Sequence, residues 1–153
     1  MSTCFNSKHH VGLFYSTEES VEFNRELVII RGLPGSGKST MGKVLRLAGY
    51  EHYEADQYFM KDGIYQYDAS KVRHAHLWCQ SAVRTALAQN KRVVVCNTFT
   101  RIKELTPYLA LSKKVRIIEA KGNWQNIHGV PAIRLHEMAA RWEELPTDWH
   151  VSQ

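Results

Sequence analysis

The chain has 153 residues, 44% hydrophobic and 23% charged, with a formal net charge of +5. That length suits one domain around a single core, and the balance excludes a disordered or fibrous chain. No apolar run approaches the roughly 20 residues needed to cross a bilayer, and residues 1–10 lack the apolar stretch of a secretory signal, so a cytoplasmic location is expected.

Cys4, Cys79 and Cys96 are odd in number and widely spaced. They predict reduced thiols rather than a disulfide framework or a cysteine zinc site. The positive charge suits anionic partners, nucleotides and nucleic acid among them, but Lys and Arg are scattered, which equally fits a solvated surface.

Residues 1–24 are polar and carry no sustained period, so they are expected to form an extension. His9-His10 lies there without a nearby carboxylate or cysteine and is assigned no metal. Strands are expected at Leu27–Arg31, His52–Ala55, Arg92–Cys96 and Val115–Glu119, where short apolar runs rich in β-branched residues occur. Helices are expected between them: Gly37–Leu47; Ser70–Asn90, with Val72, Ala75, Cys79, Ala82, Val83 and Leu87 on one face; and Thr100–Leu111, interrupted by Pro107. A fourth, Pro131–Leu145, opens on a first-turn proline and stops before Pro146.

Strands alternating with helices predict an α/β three-layer sandwich around a mainly parallel sheet of four to five strands, with a small lid. Residues 25–145 form the expected domain, and 146–153 a tail. Ligands of such sheets bind at the carboxyl ends of the strands, which directs attention to the segments after Arg31, Ala55, Cys96 and Glu119.

The first of these reads Gly-Leu-Pro-Gly-Ser-Gly-Lys-Ser-Thr over residues 32–40. This is the phosphate-binding loop of a P-loop NTPase, nucleoside-kinase-like in its element order. Pro34, Gly35, Ser36 and Gly37 are expected to wrap backbone N–H groups around phosphate oxygens, with Lys38 as the mobile cation for the β and γ phosphates. Ser39 is placed to ligate Mg²⁺, and Thr40 to assist at the phosphate. ATP and Mg²⁺ are the expected cofactors.

After the second strand, Asp56 is the candidate general base for an acceptor hydroxyl, with capping of the following turn as its alternative role. Tyr58, Phe59, Tyr65 and Tyr67, around a Gly63 hinge, can form a stacking wall beside it. His76 falls on the apolar face of its helix and is read as a buried, hydrogen-bonded residue. Asn97 and Thr98 follow the third strand; Asn97 can hydrogen-bond a metal-bound water or an acceptor group but adds no charge, so Asp56 is expected to serve the metal as well. The loop from Lys121 to Pro131 suits a lid, with Lys121, His128, Arg134 and Arg141 as its cations.

The glycine-rich loop joins Asp56 with Tyr58-Phe59, Ala75-His76-Leu77-Trp78-Cys79, Asn97-Thr98, Pro107-Tyr108, His128-Gly129-Val130-Pro131 and Arg141-Trp142-Glu143. Together, over Leu27 to Glu143, they resemble the P-loop kinases related to the 5′-kinase domain of phage polynucleotide kinase. The resemblance implies transfer of the γ-phosphate of ATP to a 5′-hydroxyl of nucleic acid, with Asp56 in the place of the catalytic aspartate. Two positions depart from it: Phe59 stands where the phage enzyme has an acceptor-side Arg, and residues 122–131 contain no Arg. A small-molecule or nucleoside kinase and a noncatalytic nucleotide-binding module are the alternatives.

Overall fold

A computed structural model describes residues 23–123 and 129–149, and the backbone of 151–152. The expected His9-His10 segment, most of the N-terminal extension and His128 of the lid lie outside the described residues. β1 (Phe23–Arg31) leads through the glycine-rich loop into α1 (Lys38–Leu47), and β2 (Glu51–Tyr53) into a 3-10 turn at Ala55–Phe59. A hairpin of β3 (Met60–Lys61) and β4 (Ile64–Tyr65) precedes α2 (Val72–Ala88). Then come β5 (Val93–Asn97), α3 (Ile102–Leu109), β6 (Ser112–Glu119), α4 (Ala132–Ala140) and β7 (Val151–Ser152).

The main sheet has the order β2-β5-β1-β6-β7, and every neighbouring pair is parallel. β1 is central because Leu27-Val28-Ile29-Ile30 is apolar on both faces, as a strand covered from both sides requires. Leu27 and Ile29 face the larger core with Cys79, Val83 and Leu87 of α2 and Leu105 and Tyr108 of α3. Val28 and Ile30 face the other side with Val94, Cys96 and, from α1, Met41 and Leu45. The result is the expected three-layer P-loop sandwich.

Several boundaries differ from expectation for local reasons. β2 ends at Tyr53 because Ala55 already starts the 3-10 turn, and α4 ends at Ala140 rather than Leu145. The hairpin was not anticipated: Asp62 and Gly63 both have positive φ, 50° and 77°, so the Asp-Gly pair makes a two-residue turn where a hinge was expected. His76 is exposed rather than buried, since α2 points Ala75, Cys79, Val83, Ala86 and Leu87 at the sheet. Residues 151–152 add a fifth strand beside β6.

Candidate functional site

The carboxyl ends of β1, β2, β5 and β6 converge on the glycine-rich loop. The Gly32 N–H donates to Thr98 O at 3.3 Å, and the Gly122 N–H donates to Ser36 O at 3.0 Å, so the segments after β5 and β6 both brace the loop. A Cβ at Gly32 would lie 2.3 Å from Ser36 Oγ and 2.8 Å from Ala120 O. Gly35 and Gly37 take φ of 81° and 94°, conformations that L side chains rarely adopt. α1 begins at once, without a side-chain cap or an acidic residue in its first turn, so its amide end is left for an anion. The buried Ser36 hydroxyl has no hydrogen-bond partner among the described residues. These features fit a polyphosphate.

Lys38 arches back to donate from Nζ to Leu33 O at 3.2 Å. Burial lowers its pKa, and the charges of Glu54 and Asp56 oppose that shift. Two carboxylates therefore act on one ammonium, where the sequence had singled out only Asp56.

Glu54 sits at the junction of β2 and the 3-10 turn, with its side chain 15% exposed. His52 Nε2 lies 2.8 Å from Glu54 Oε1, and Glu54 is within 4.8 Å of Cys96 Sγ. Burial alone would raise the carboxyl pKa. The hydrogen bond from His52, the Ser39 hydroxyl and the charge of Lys38 outweigh it and hold Glu54 below the ordinary value, ionised. The one sequence signal for it was its place at a strand's carboxyl end, two residues before the carboxylate that had been noticed.

His52, Glu54 and Cys96 bring three potential ligand atoms within 4.8 Å of one another. Cys96 Sγ, however, donates to Lys38 O at 3.5 Å, and burial pushes its thiol well up. A Cβ at Gly42 would meet His52 Nε2 at 2.5 Å and Cys96 Sγ at 2.7 Å, so both atoms pack against the bare glycine of α1. The oxygens of Ser39 and Glu54, by contrast, are hard donors that suit Mg²⁺.

Asp56 lies half-buried in the 3-10 turn, with Tyr65 Oη 3.4 Å from its Oδ1. Burial first, and then Asp56, push the Tyr65 phenol up to about 12. Tyr58 packs on Phe59 and Trp78, with centroids 5.6 and 6.2 Å apart, and Phe59 packs on Tyr67 at 5.2 Å. Tyr58, Phe59 and Tyr67 line an open hollow of about 410 Å³ together with Lys61, Gln66, Asp68, Ala69 and Lys71, and Lys71 Nζ lies 3.9 Å from Asp68 Oδ2.

Asn97 is turned inward: its Oδ1 accepts from the Ala55 N–H at 2.8 Å, and its Nδ2 lies 3.8 Å from Cys79 Sγ. It fixes the start of the turn that carries Asp56. Thr98 contributes its carbonyl to the loop, and Thr40 is exposed on α1. Arg134 is also exposed and pairs with Glu137 of α4 at 3.7 Å. Arg141 donates to Thr100 Oγ1 at 3.1 Å, away from the loop.

Arg31, at the end of β1, is fully buried. It donates to the carbonyls of Phe99, Thr100 and Glu143, pairs with Glu119 at 3.3 Å, and stacks 3.8 Å over the Trp142 ring. It thereby latches the segment after α4 onto the sheet.

Comparison with known proteins agrees with this arrangement. The chain is 30% identical over 135 residues to human NEDD4-binding protein 2, an alignment spanning 78% of this chain but only 8% of that protein. Among solved structures, a sugar kinase from Janibacter sp. HTCC2649 superimposes with a TM-score of 0.61 at 17% identity, covering 84% of this chain and 83% of the other. A chain of the Pnkp1/Rnl/Hen1 RNA repair complex gives 0.53 at 16% identity, covering 84% and 42%. At those identities the structural likeness is one of fold, that of P-loop kinases. Residues 27–145 match the AAA domain family model, and the chain belongs to that family, AAA_33.

Proposed function

We propose that the chain is an ATP-dependent kinase that transfers the γ-phosphate to a 5′-hydroxyl end of a polynucleotide. The observation that carries this reading is the hollow formed by the turn and hairpin that follow Asp56: Tyr58 and Tyr67 offer ring surface for a nucleobase, with the buried Phe59 packed against both, and Lys61 and Lys71 offer charge for its phosphates, Lys71 sharing its own with Asp68. Gln66 adds a hydrogen-bonding group at the same wall.

In this reading the loop amides and Lys38 hold the β and γ phosphates, and Asp56 takes the proton of the acceptor hydroxyl. Mg²⁺, when bound, neutralises phosphate charge, and Ser39 and Glu54 are the residues that would hold it. Phe59, in the place of an acceptor-side Arg, favours a smaller neutral alcohol as the second reading.

The test is to supply labelled ATP and Mg²⁺ with 5′-hydroxyl DNA and RNA oligonucleotides, and in parallel with nucleosides and sugars. Label on the oligonucleotide 5′ ends is the expected result. Label only on the small acceptors establishes the second reading, and nucleotide binding without any transfer establishes a noncatalytic module.

A further inference from the structure

We propose that Glu54, oriented by His52, is the carboxylate that holds the water shell of the magnesium ion accompanying ATP, leaving Asp56 to the acceptor. This rests on the kinase reading for the metal–nucleotide complex, but not on the identity of the acceptor.

Three observations converge. The Glu54 carboxylate lies within 4.8 Å of Cys96 Sγ, which itself lies 3.5 Å from Lys38 O at the start of α1, so Glu54 stands at the metal side of the loop beside Lys38 and Ser39. Asn97, at the end of β5, brings no charge, and both ends of its amide are engaged by Ala55 and Cys79. A negative group on the metal side of the loop therefore has to come from elsewhere, and Glu54 is the partly buried carboxylate beside the start of α1.

The third observation is that the orientation of Glu54 is built. His52 Nε2 reaches Oε1 at 2.8 Å from two residues earlier on β2, and the Gln57 side chain donates to His52 O at 3.2 Å. The imidazole fits beneath α1 only because position 42 is glycine; a Cβ there would stand 2.5 Å from Nε2. With Nε2–H donated to one oxygen, the other carboxylate oxygen remains for metal-bound water. His52 is thus a positioning residue, and Glu54 a metal-side group.

The experiment measures ATP affinity by calorimetry across a Mg²⁺ series, and again in EDTA, with no acceptor present. Wild-type affinity should rise with Mg²⁺ to a plateau. In Glu54→Gln the half-saturating Mg²⁺ should increase on the order of tenfold or more. Its metal-free affinity should be unchanged or higher, because a negative charge beside Lys38 has gone. Asp56→Asn should leave the Mg²⁺ half-point where it is. His52→Phe should shift it part of the way, and His52→Gln, whose amide can still donate, should restore it.

A wild-type half-point in folded Glu54→Gln overturns the assignment, as does an equal shift in Asp56→Asn. A merely structural role would lower affinity with and without metal alike, which also overturns it. Should Glu54→Gln fail to fold, His52→Phe decides, and a wild-type half-point there is the overturning result. Because no acceptor takes part, failure to phosphorylate oligonucleotides leaves this result standing, and loss of the Mg²⁺ shift leaves the acceptor reading standing.

Discussion

Glu54 and Asp56 are two residues apart, yet one pairs with His52 beneath α1 and the other lies 3.4 Å from Tyr65 Oη. Substitution should separate phosphate binding from chemistry at this scale. Asp56→Asn keeps the size of the side chain and loses the proton acceptor, so ATP affinity should persist while phosphoryl transfer falls on the order of a hundredfold. Lys38→Ala should weaken ATP binding and transfer together, because the cation serves the phosphates in both states. Calorimetry beside single-turnover transfer distinguishes the two patterns; full transfer by folded Asp56→Asn would make that carboxylate structural. The loop was legible from sequence because its glycine spacing follows an apolar strand, whereas Asp56 was singled out by its place after the short polar strand Glu51–Tyr53. The environment of Glu54 was not legible, because it depends on His52 of β2 packing against Gly42 of α1, a contact that no spacing encodes.

At the scale of elements, Arg31 connects β1, the segment after β5 and the segment after α4 through one guanidinium. Its pKa is lowered by burial, which Glu119 offsets first among the nearby acids. Arg31→Met would leave the carbonyls of Phe99, Thr100 and Glu143 without their donor, and Glu119 with Lys121 alone at 4.0 Å. A loss of about 3 kcal/mol is expected, as for a broken buried pair. The Glu143 side chain accepts from the Ile102 N–H, and the Glu143 N–H donates to Thr100 O. Hydrogen exchange should therefore quicken at Ile102 and Glu143 before it does so in β1; unchanged protection there would show that the latch is held by other contacts.

Long apolar strands and the amphipathic α2 were read correctly because burial imposes a period on them. The hairpin of β3 and β4 was missed because two-residue strands have no period. The Asp62-Gly63 turn alone announced it.

For the molecule as a whole, ionisable groups in the fold set its response to alkali. Burial raises Tyr53, Tyr65, Tyr108, Cys79 and Cys96 above their ordinary values, and the hydrogen bond to Glu26 chiefly raises Tyr50. The folded chain keeps these protons to higher pH than the unfolded chain, which then binds fewer, so stability falls as pH rises through the ordinary values of 9.0 and 10.0. Lys38, lowered in the fold, works in the opposite direction but is a single group. The melting temperature should drop between about pH 8 and about pH 10.5, and replacing the buried Tyr108 with Phe should recover part of the loss. A melting temperature that is flat across this range would contradict the burial of these phenols and thiols.

The central place of β1 also imposes an order on the birth of the protein. β1 is the first strand of the sheet to leave the ribosome, but its partners come much later: Leu27 pairs with Val93 on one side and Val115 on the other. Until residues near 97 have emerged, the nascent chain carries the unpaired apolar run Leu27–Ile30, and one edge of it stays open until residues near 119 follow, the kind of segment that binds chaperones and aggregates. The loop that would grip a nucleotide waits longer still, since Ser36 receives its bracing hydrogen bond from Gly122. A bound nucleotide therefore cannot guide the early steps of folding and can only lock the product of the late ones.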